Sequence, residues 1–222
     1  MLGFLYLCVL PSTISSSVAL TGSAGGNVPA AILNASLSSV LGIFLTPLLV
    51  SVVVGSGTGG IDLGATLLDL CVLLLLPLVL GQLVRPLFGR FFARHKRYTS
   101  IVDKLVILLL VYAAFCNSMV SGMWQQQGSS VILSAFVGSA VLLAVILWMT
   151  TRTARALHFS TPDEIAAVFC ASKKSLAAGA PMAALIFGAN PGLGLILLPI
   201  MIYHPLQLIV CSVMAENYAS RR

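Results

Sequence analysis

Two adjacent lysines, Lys173 and Lys174, decide what this chain can fold into. They lie in Phe169-Cys-Ala-Ser-Lys-Lys-Ser-Leu176, with apolar and small residues at 165–168 before the run and 177–187 after it. A charge near the centre of a bilayer costs roughly 2.5–3.5 kcal/mol on insertion scales. The pair must therefore face a water-filled cavity, meet an acid, or sit where a helix is broken and its carbonyls turn inward. The run Ser172, Lys173, Lys174 and Ser175 is thus a candidate binding site. The plain alternative is snorkelling to an interface. Against it, the lysines lie about ten residues past Asp163, roughly 15 Å along a helix, which is mid-depth.

Composition makes the bilayer the right solvent for this reasoning. Of 222 residues, 59% are hydrophobic and 8% are charged, where soluble domains carry about 25% charged residues. The chain reads as an all-α, polytopic membrane protein. Cys8, Cys71, Cys116, Cys170 and Cys211 all fall in apolar segments, and an odd, lipid-embedded set argues against a disulfide framework. The net charge of +6 is not arranged as a basic face interleaved with aromatics, so no nucleic-acid partner is expected. The expected partners are the lipid bilayer and a small-molecule substrate.

Seven crossings are predicted. Met1–Leu10 is too short to span and runs into Pro11-Ser-Thr-Ile-Ser-Ser-Ser17, where proline removes a backbone donor. This reads as a broken helix whose second half ends near Gly25-Gly26. The next spans are Asn27–Val54, Leu63–Leu87, Val102–Val120 and Val131–Thr150. Thr161-Pro162-Asp163-Glu164 reads as a capping box with proline at the first helical position. It opens Ile165–Phe187, and Leu193–Met214 completes the set. Arg85, Arg90, Arg94, Lys96, Arg97 and Lys104 follow the third crossing. Arg152 and Arg155 follow the fifth, and Arg221 and Arg222 the seventh. The intervening connections 55–60, 125–130 and 188–192 carry no Lys or Arg. This alternation follows the positive-inside rule and puts the C-terminus in the cytoplasm.

The two interrupted helices resemble each other. Cys8-Val-Leu-Pro-Ser-Thr-Ile14 aligns with Cys170-Ala-Ser-Lys-Lys-Ser-Leu176, Asn27 and Pro29 with Asn190 and Pro191, and Thr46-Pro-Leu48 with His204-Pro-Leu206. Five crossings separate the breaks, so they enter the membrane in opposite senses. Broken helices at matching places in inverted halves point to a transporter's midplane site. On this division residues 1–54 are the last two helices of a first repeat and 55–62 a connecting loop. Residues 63–217 form a complete five-helix second repeat, and 218–222 a cytoplasmic tail. About three N-terminal crossings would then be absent from a symmetric ten-helix fold.

Leu10-Pro-Ser-Thr-Ile-Ser-Ser-Ser-Val-Ala-Leu-Thr21, Gly26-Asn-Val-Pro-Ala30 and Leu41-Gly-Ile-Phe-Leu-Thr-Pro47 resemble the bile acid:sodium symporter superfamily. Cys170-Ala-Ser-Lys-Lys-Ser-Leu176 and Tyr203-His-Pro-Leu-Gln207 fit its SBF-like branch, bacterial relatives of solute carrier family 10 member 7. The resemblance implies an inverted-repeat transporter whose two discontinuous helices, here Met1–Ala24 and 165–187, cross at the centre. It also implies a bacterial inner membrane. In sodium-coupled members a Ser-Asn pair after the first break holds sodium, and Ser16 and Ser17 stand there. Two hydroxyl residues on the next helix align with Ala31 and Ala35, with Asn34, Ser36 and Ser38 nearby. A glutamate aligns around Phe169–Cys170, and a Gln-Asn-Ser run aligns with Lys173-Lys174-Ser175.

Those replacements predict that a lysine stands in for sodium, with no cofactor and with proton coupling as the alternative drive. The candidate site comprises Ser12, Thr13, Ser15, Ser16, Ser17, Asn34, Ser38, Ser172, Lys173, Lys174 and Ser175, and no metal site is expected. For the hydroxyls the plain alternative is bonding back to helix carbonyls. Asp69 could neutralise a lysine, and His204 reads as a hydrogen-bonded histidine at a kink. The leading function is secondary transport of a small anionic organic solute. A Ser-Lys hydrolase dyad at Ser172 or Ser175 is disfavoured, since no Gly-x-Ser-x-Gly or His-Glu-x-x-His occurs, and the chain is not read as an enzyme. Behind transport stand a regulatory protein of the calcium-homeostasis type and a non-functional transporter fragment.

Overall fold

The computed structural model describes residues 2–55, 94–120, 130–187 and 190–220, with isolated positions between 72 and 88. The described elements are all helical: α1 (Leu2–Val9), α2 (Ile14–Ser23), α3 (Val28–Gly55), α4 (Lys96–Val120), α5 (Ser130–Ala156), α6 (Thr161–Ser172), α7 (Leu176–Phe187) and α8 (Leu193–Ala219). The predicted Leu63–Leu87 crossing, Asp69, and the connections at 55–62 and 125–129 lie largely or wholly outside the described residues, as do Arg221 and Arg222. Residues 28–52, 130–156 and 193–219 are each long and apolar enough to cross a bilayer. The pair α1 and α2 qualifies as one bent span, with an angle of 63° at its break. Outer faces carry bare apolar side chains such as Leu33, Leu109 and Trp148, each more than 60% exposed. Water would penalise such faces and lipid does not.

Both predicted interruptions are present, each shorter and more sharply bounded than expected. The first covers Leu10–Thr13 rather than Pro11–Ser17, because Ser15, Ser16 and Ser17 already belong to α2. The second is Lys173–Ser175. Thr13 (φ −88°, ψ 119°) and Lys173 (φ −84°, ψ 135°) are both extended. The two extended segments touch directly, Ser175 N–H donating to Pro11 O at 3.1 Å. Glycines permit the approach. A Cβ on Gly42 of α3 would lie 2.6 Å from Pro11 Cβ, and one on Gly179 of α7 would lie 2.8 Å from Leu10 Cδ1.

Three helices run further than the sequence predicts: α4 begins at Lys96 instead of Val102, α5 continues to Ala156, and α8 continues to Ala219. The extra turns of α5 and α8 are held by a polar cluster. The Glu164 carboxylate accepts from Arg155 Nη2 at 3.1 Å and from the Tyr218 hydroxyl at 3.0 Å. Glu164 is therefore a tie between helix ends and not only a capping residue. The cap itself sits one residue earlier than predicted. Ser160 precedes α6 and its hydroxyl accepts from Asp163 N–H, so proline takes the second helical position.

Helix α8 is the axis of the bundle and packs against α1, α2, α4, α5, α6 and α7. The buried core gathers around it from Tyr6, Leu7, Leu10, Phe169, Leu197, Ile200 and Tyr203. The edge of Tyr6 meets Phe187, with ring centroids 5.5 Å apart. The two breaks are thus wedged between α3 on one side and α8 on the other.

Candidate functional site

A broken helix leaves carbonyls without intrahelical partners, and inside a membrane each needs another donor. At the first break those donors come from other helices. Lys174 Nζ donates to Cys8 O at 2.8 Å and to Leu10 O at 2.9 Å. Thr46 Oγ1 donates to Val9 O at 2.7 Å, and Ser39 Oγ to Ser12 O at 3.4 Å. The amine of Lys174 therefore caps the C-terminal end of α1, where the helix dipole favours a cation.

The second break is satisfied in the same manner. Ser12 Oγ donates to Cys170 O at 2.7 Å, Ser17 Oγ to Phe169 O at 3.4 Å, and Tyr203 OH to Ser172 O at 2.9 Å. Gln207, wholly buried on α8, clamps the peptide of Lys174 from both sides. Its Oε1 accepts from Lys174 N–H at 2.7 Å, and its Nε2 donates to Lys174 O at 2.8 Å. Ser175 caps α7, its hydroxyl accepting from Ala178 N–H at 3.2 Å.

The two lysines diverge, as adjacent side chains should. Lys174 reaches the first break. Lys173 is fully buried and turns to α8, donating to Gln207 O at 3.2 Å. Neither forms an ion pair with a described carboxylate. Beside them lies a cavity of about 200 Å³, lined by Leu10, Ser12, Asn34, Ser38, Cys170, Ala171, Lys173 and Lys174. Ser38 Oγ also accepts from Ser12 N–H at 3.0 Å. The Asn34 side chain has no hydrogen bond within the described residues.

Five of the expected site residues thus share one cavity: Ser12, Asn34, Ser38, Lys173 and Lys174. Ser17, Ser172 and Ser175 support the breaks without lining it. The Ser172 hydroxyl bonds back to Val168 O at 2.8 Å and Ser175 is a cap, so neither hydroxyl meets a lysine amine as a hydrolase dyad would require. Ser15 is exposed on α2. The hydroxyl oxygens of Thr13 and Ser16 are buried without a hydrogen-bond partner among the described residues. Gln207, Tyr203, Ser39 and Thr46 also contribute, though none is among the expected site residues. Tyr203 and Gln207 lie in the Tyr203-His-Pro-Leu-Gln207 motif and Thr46 in Thr46-Pro-Leu48, which carry the likeness and the repeat without assigning a role at the breaks. The physical sign of Gln207 is an amide inside a largely apolar helix.

At the two α3 positions where the resemblance implies hydroxyl ligands for sodium, this chain has Ala31 and Ala35. Ala31 and Ala35 are wholly buried and form a small apolar cluster with Ala166 and Cys170. A hard cation takes oxygen ligands, and these two methyl groups supply none.

At the far end of α6, Asp163 Oδ1 accepts from Asn27 Nδ2 at 2.7 Å, and Asn27 N–H donates to Pro162 O at 2.9 Å. Hydrogen bonds from the Ser160 hydroxyl and then Asn27 hold the Asp163 carboxyl below the usual carboxylate range. This ties the start of α6 to the start of α3.

Residues 1–220 match the model of the SBF-like CPA transporter family. The chain is 48% identical to YfeH of Escherichia coli (strain K12) over 219 residues, covering 97% of this chain and 64% of that protein. It is 33% identical to sodium/bile acid cotransporter 7 of Rattus norvegicus over 212 residues, covering 95% of this chain and 62% of the rat protein. The chain spans a little under two thirds of the length of these curated relatives. Apolar spanning helices, two interrupted helices meeting at a polar centre, and a match over nearly every residue agree on one assignment: the chain belongs to the SBF-like CPA transporter family.

Proposed function

We propose that the crossing of the two breaks is the solute site of a secondary transporter for a small anionic organic molecule, with Lys174 in the role that sodium plays in relatives. One observation carries this reading. An ammonium group on the border of a polar cavity bonds the carbonyls of Cys8 and Leu10, with no described carboxylate paired to it. A cavity with that lining favours an anion. Its volume of about 200 Å³ falls below the roughly 300–1,000 Å³ of pockets for drug-sized ligands, which argues for a solute smaller than a bile acid. The inverted-repeat fold, a cytoplasmic C-terminus and a bacterial inner membrane belong to the same proposal, supported by the matched breaks and the one-sided basic loops.

The test is uptake into proteoliposomes of a panel of radiolabelled small carboxylates and organic phosphates, which registers electroneutral as well as electrogenic transport. Uptake is expected with choline in place of sodium, and Lys174→Met is expected to abolish it. Strong dependence on a sodium gradient would refute the substitution of lysine for sodium.

A further inference from the structure

His204 lies on α8, three residues before Gln207. Its Nδ1 is 3.0 Å from Gln207 Nε2 and 3.5 Å from Lys174 O. The orientation of the Gln207 amide is fixed independently of the histidine. Oε1 must face the Lys174 N–H and Nε2 must face the Lys174 carbonyl, because the flipped amide would set donor against donor and acceptor against acceptor. Nε2 then has one hydrogen left, and it points at Nδ1. With Nδ1 accepting that hydrogen, the ring is neutral and carries its proton on Nε2. A proton on Nδ1 would set two donors 3.0 Å apart and make the ring a rival donor to Lys174 O, 3.5 Å away.

We propose that His204 is the proton-binding site of the crossover: a proton taken up at Nδ1 expels the Gln207 amide and frees the Lys174 peptide. The step is a simple protonation. The Nδ1 lone pair takes a proton from water, imidazole becomes imidazolium, and only hydrogen bonds are broken. Those bonds hold the Lys173–Ser175 break in place, so the proton is transmitted to the segment that carries Lys174. This deepens the transport reading above and rests on it for its role, though the switch itself does not need it.

The surroundings say what would favour the proton. Lys173 and Lys174 from the break are the charged groups near the ring, and both oppose a further positive charge. Helices α2 and α7 carry no titratable side chain. On α6, Asp163 is bonded to Asn27 and Ser160, and Glu164 to Arg155 of α5 and Tyr218 of α8 itself, so no described carboxylate pairs with the ring. Tyr6 and Cys8 on α1, Cys170 on α6, Tyr203 and Cys211 on α8, and Tyr112 and Cys116 on α4 are uncharged at neutral pH in their ordinary form, and the charged Glu216 stands twelve residues past His204 on α8, about 18 Å along the helix. An anion beside Lys174 would offset the repulsion, and by linkage a proton on His204 would raise the affinity for that anion. Proton and anion would then be carried together.

The switch is tested by hydrogen exchange of the intact protein in lipid nanodiscs, following peptides that contain the Lys174 amide between pH 8 and pH 4. This window starts above an ordinary imidazole at about 6.5 and runs well below it, because both lysines oppose the proton. Rates are referred to those of the unfolded chain at each pH. Protection of that amide is expected to fall by about tenfold per pH unit on the acid side, as a one-proton equilibrium requires. His204→Asn places an acceptor oxygen near the position of Nδ1 and does not titrate, so its protection is expected to stay level. Gln207→Met is expected to lack the protection at every pH. Level protection in the wild-type protein, or an equal acid loss in His204→Asn, overturns the proposal. An acid loss confined to the wild type in a protein whose uptake is sodium-driven would uphold the proton site and refute the substitution of lysine for sodium instead.

Discussion

Gln207→Met tests most directly whether the crossover is held by side chains that satisfy broken backbone. Methionine matches glutamine in length and fits an apolar surround, so packing is nearly conserved. What is lost is the amide. Lys174 N–H and Lys174 O, bonded at 2.7 and 2.8 Å in the native protein, are left without these partners beside a side chain that is wholly buried. Each stranded group costs about 1–3 kcal/mol, so the variant should lose about 2–6 kcal/mol. Against a total stability of about 5–15 kcal/mol this is a large share. For a chain of this size it corresponds to a fall in Tm on the order of 10 °C, at about 2–4 °C per kcal/mol. Thermal unfolding in detergent followed by intrinsic fluorescence reads the shift. Gln207→Glu separates the two halves of the clamp: it keeps the acceptor for Lys174 N–H and turns the donor into an oxygen facing Lys174 O. It should therefore also be destabilised. A Tm for Gln207→Met within about 2 °C of the wild type would refute the reasoning, because the break would then be held by something other than this amide.

Gly42→Ala should lower stability by about 1–3 kcal/mol through overpacking against Pro11. Gly22→Ala, whose Cβ would have its nearest neighbour at 3.5 Å, should escape that penalty, and parallel melts compare them. Ser12→Ala strands the buried Cys170 carbonyl and should cost about 1–3 kcal/mol. Ser15→Ala, exposed on α2, should stay within about 0.5 kcal/mol. Asp163 predicts a pH dependence of definite sign. Hydrogen bonds from Ser160 and Asn27 hold its folded carboxyl below the ordinary value, so its contribution is complete at neutral pH and fades as pH falls below about 4. The difference in Tm between wild type and Asp163→Asn should narrow between pH 6 and pH 3, and a gap that widens in acid would contradict the assignment.

The parts of this fold that were legible in the sequence are those decided by composition over short stretches. Proline at 11 and the paired lysines at 173 and 174 each make a continuous helix costly, and both breaks are where those residues lie. The partners of the breaks were not legible, since they are set by tertiary placement. Ser12 meets Cys170 across 158 positions, and Lys174 meets Cys8 across 166. Among five neighbouring hydroxyls, only helix phase separates Ser17, which bonds Phe169 O, from Ser15, which faces outward. That phase depends on where α2 starts, and a shift of one residue rotates a side chain by about 100°. The cap at Ser160 was misplaced by one residue for a related reason: Thr161 and Ser160 are equivalent as types, and only geometry chooses between them.

The hydrogen bonds at the breaks also constrain how a solute could be recognised. Most of the carbonyls opened by the two breaks already have a donor from another helix, so the backbone has little left to offer a ligand. Among the described residues that line the cavity, the Asn34 amide has no hydrogen bond, the Lys173 amine holds one carbonyl and the Lys174 amine holds two. A neutral solute would have to replace those bonds with weaker ones of the same kind. A carboxylate or phosphate adds an opposite charge to the bond, which makes it both shorter and stronger, and only such a group gains by drawing the amine off the end of α1. On the proposed reading, withdrawing it would uncap the end of α1 at the Cys8 and Leu10 carbonyls and so couple solute binding to the conformation of the first break through one side chain. The charge of the solute, more than its shape, should therefore decide what this site accepts.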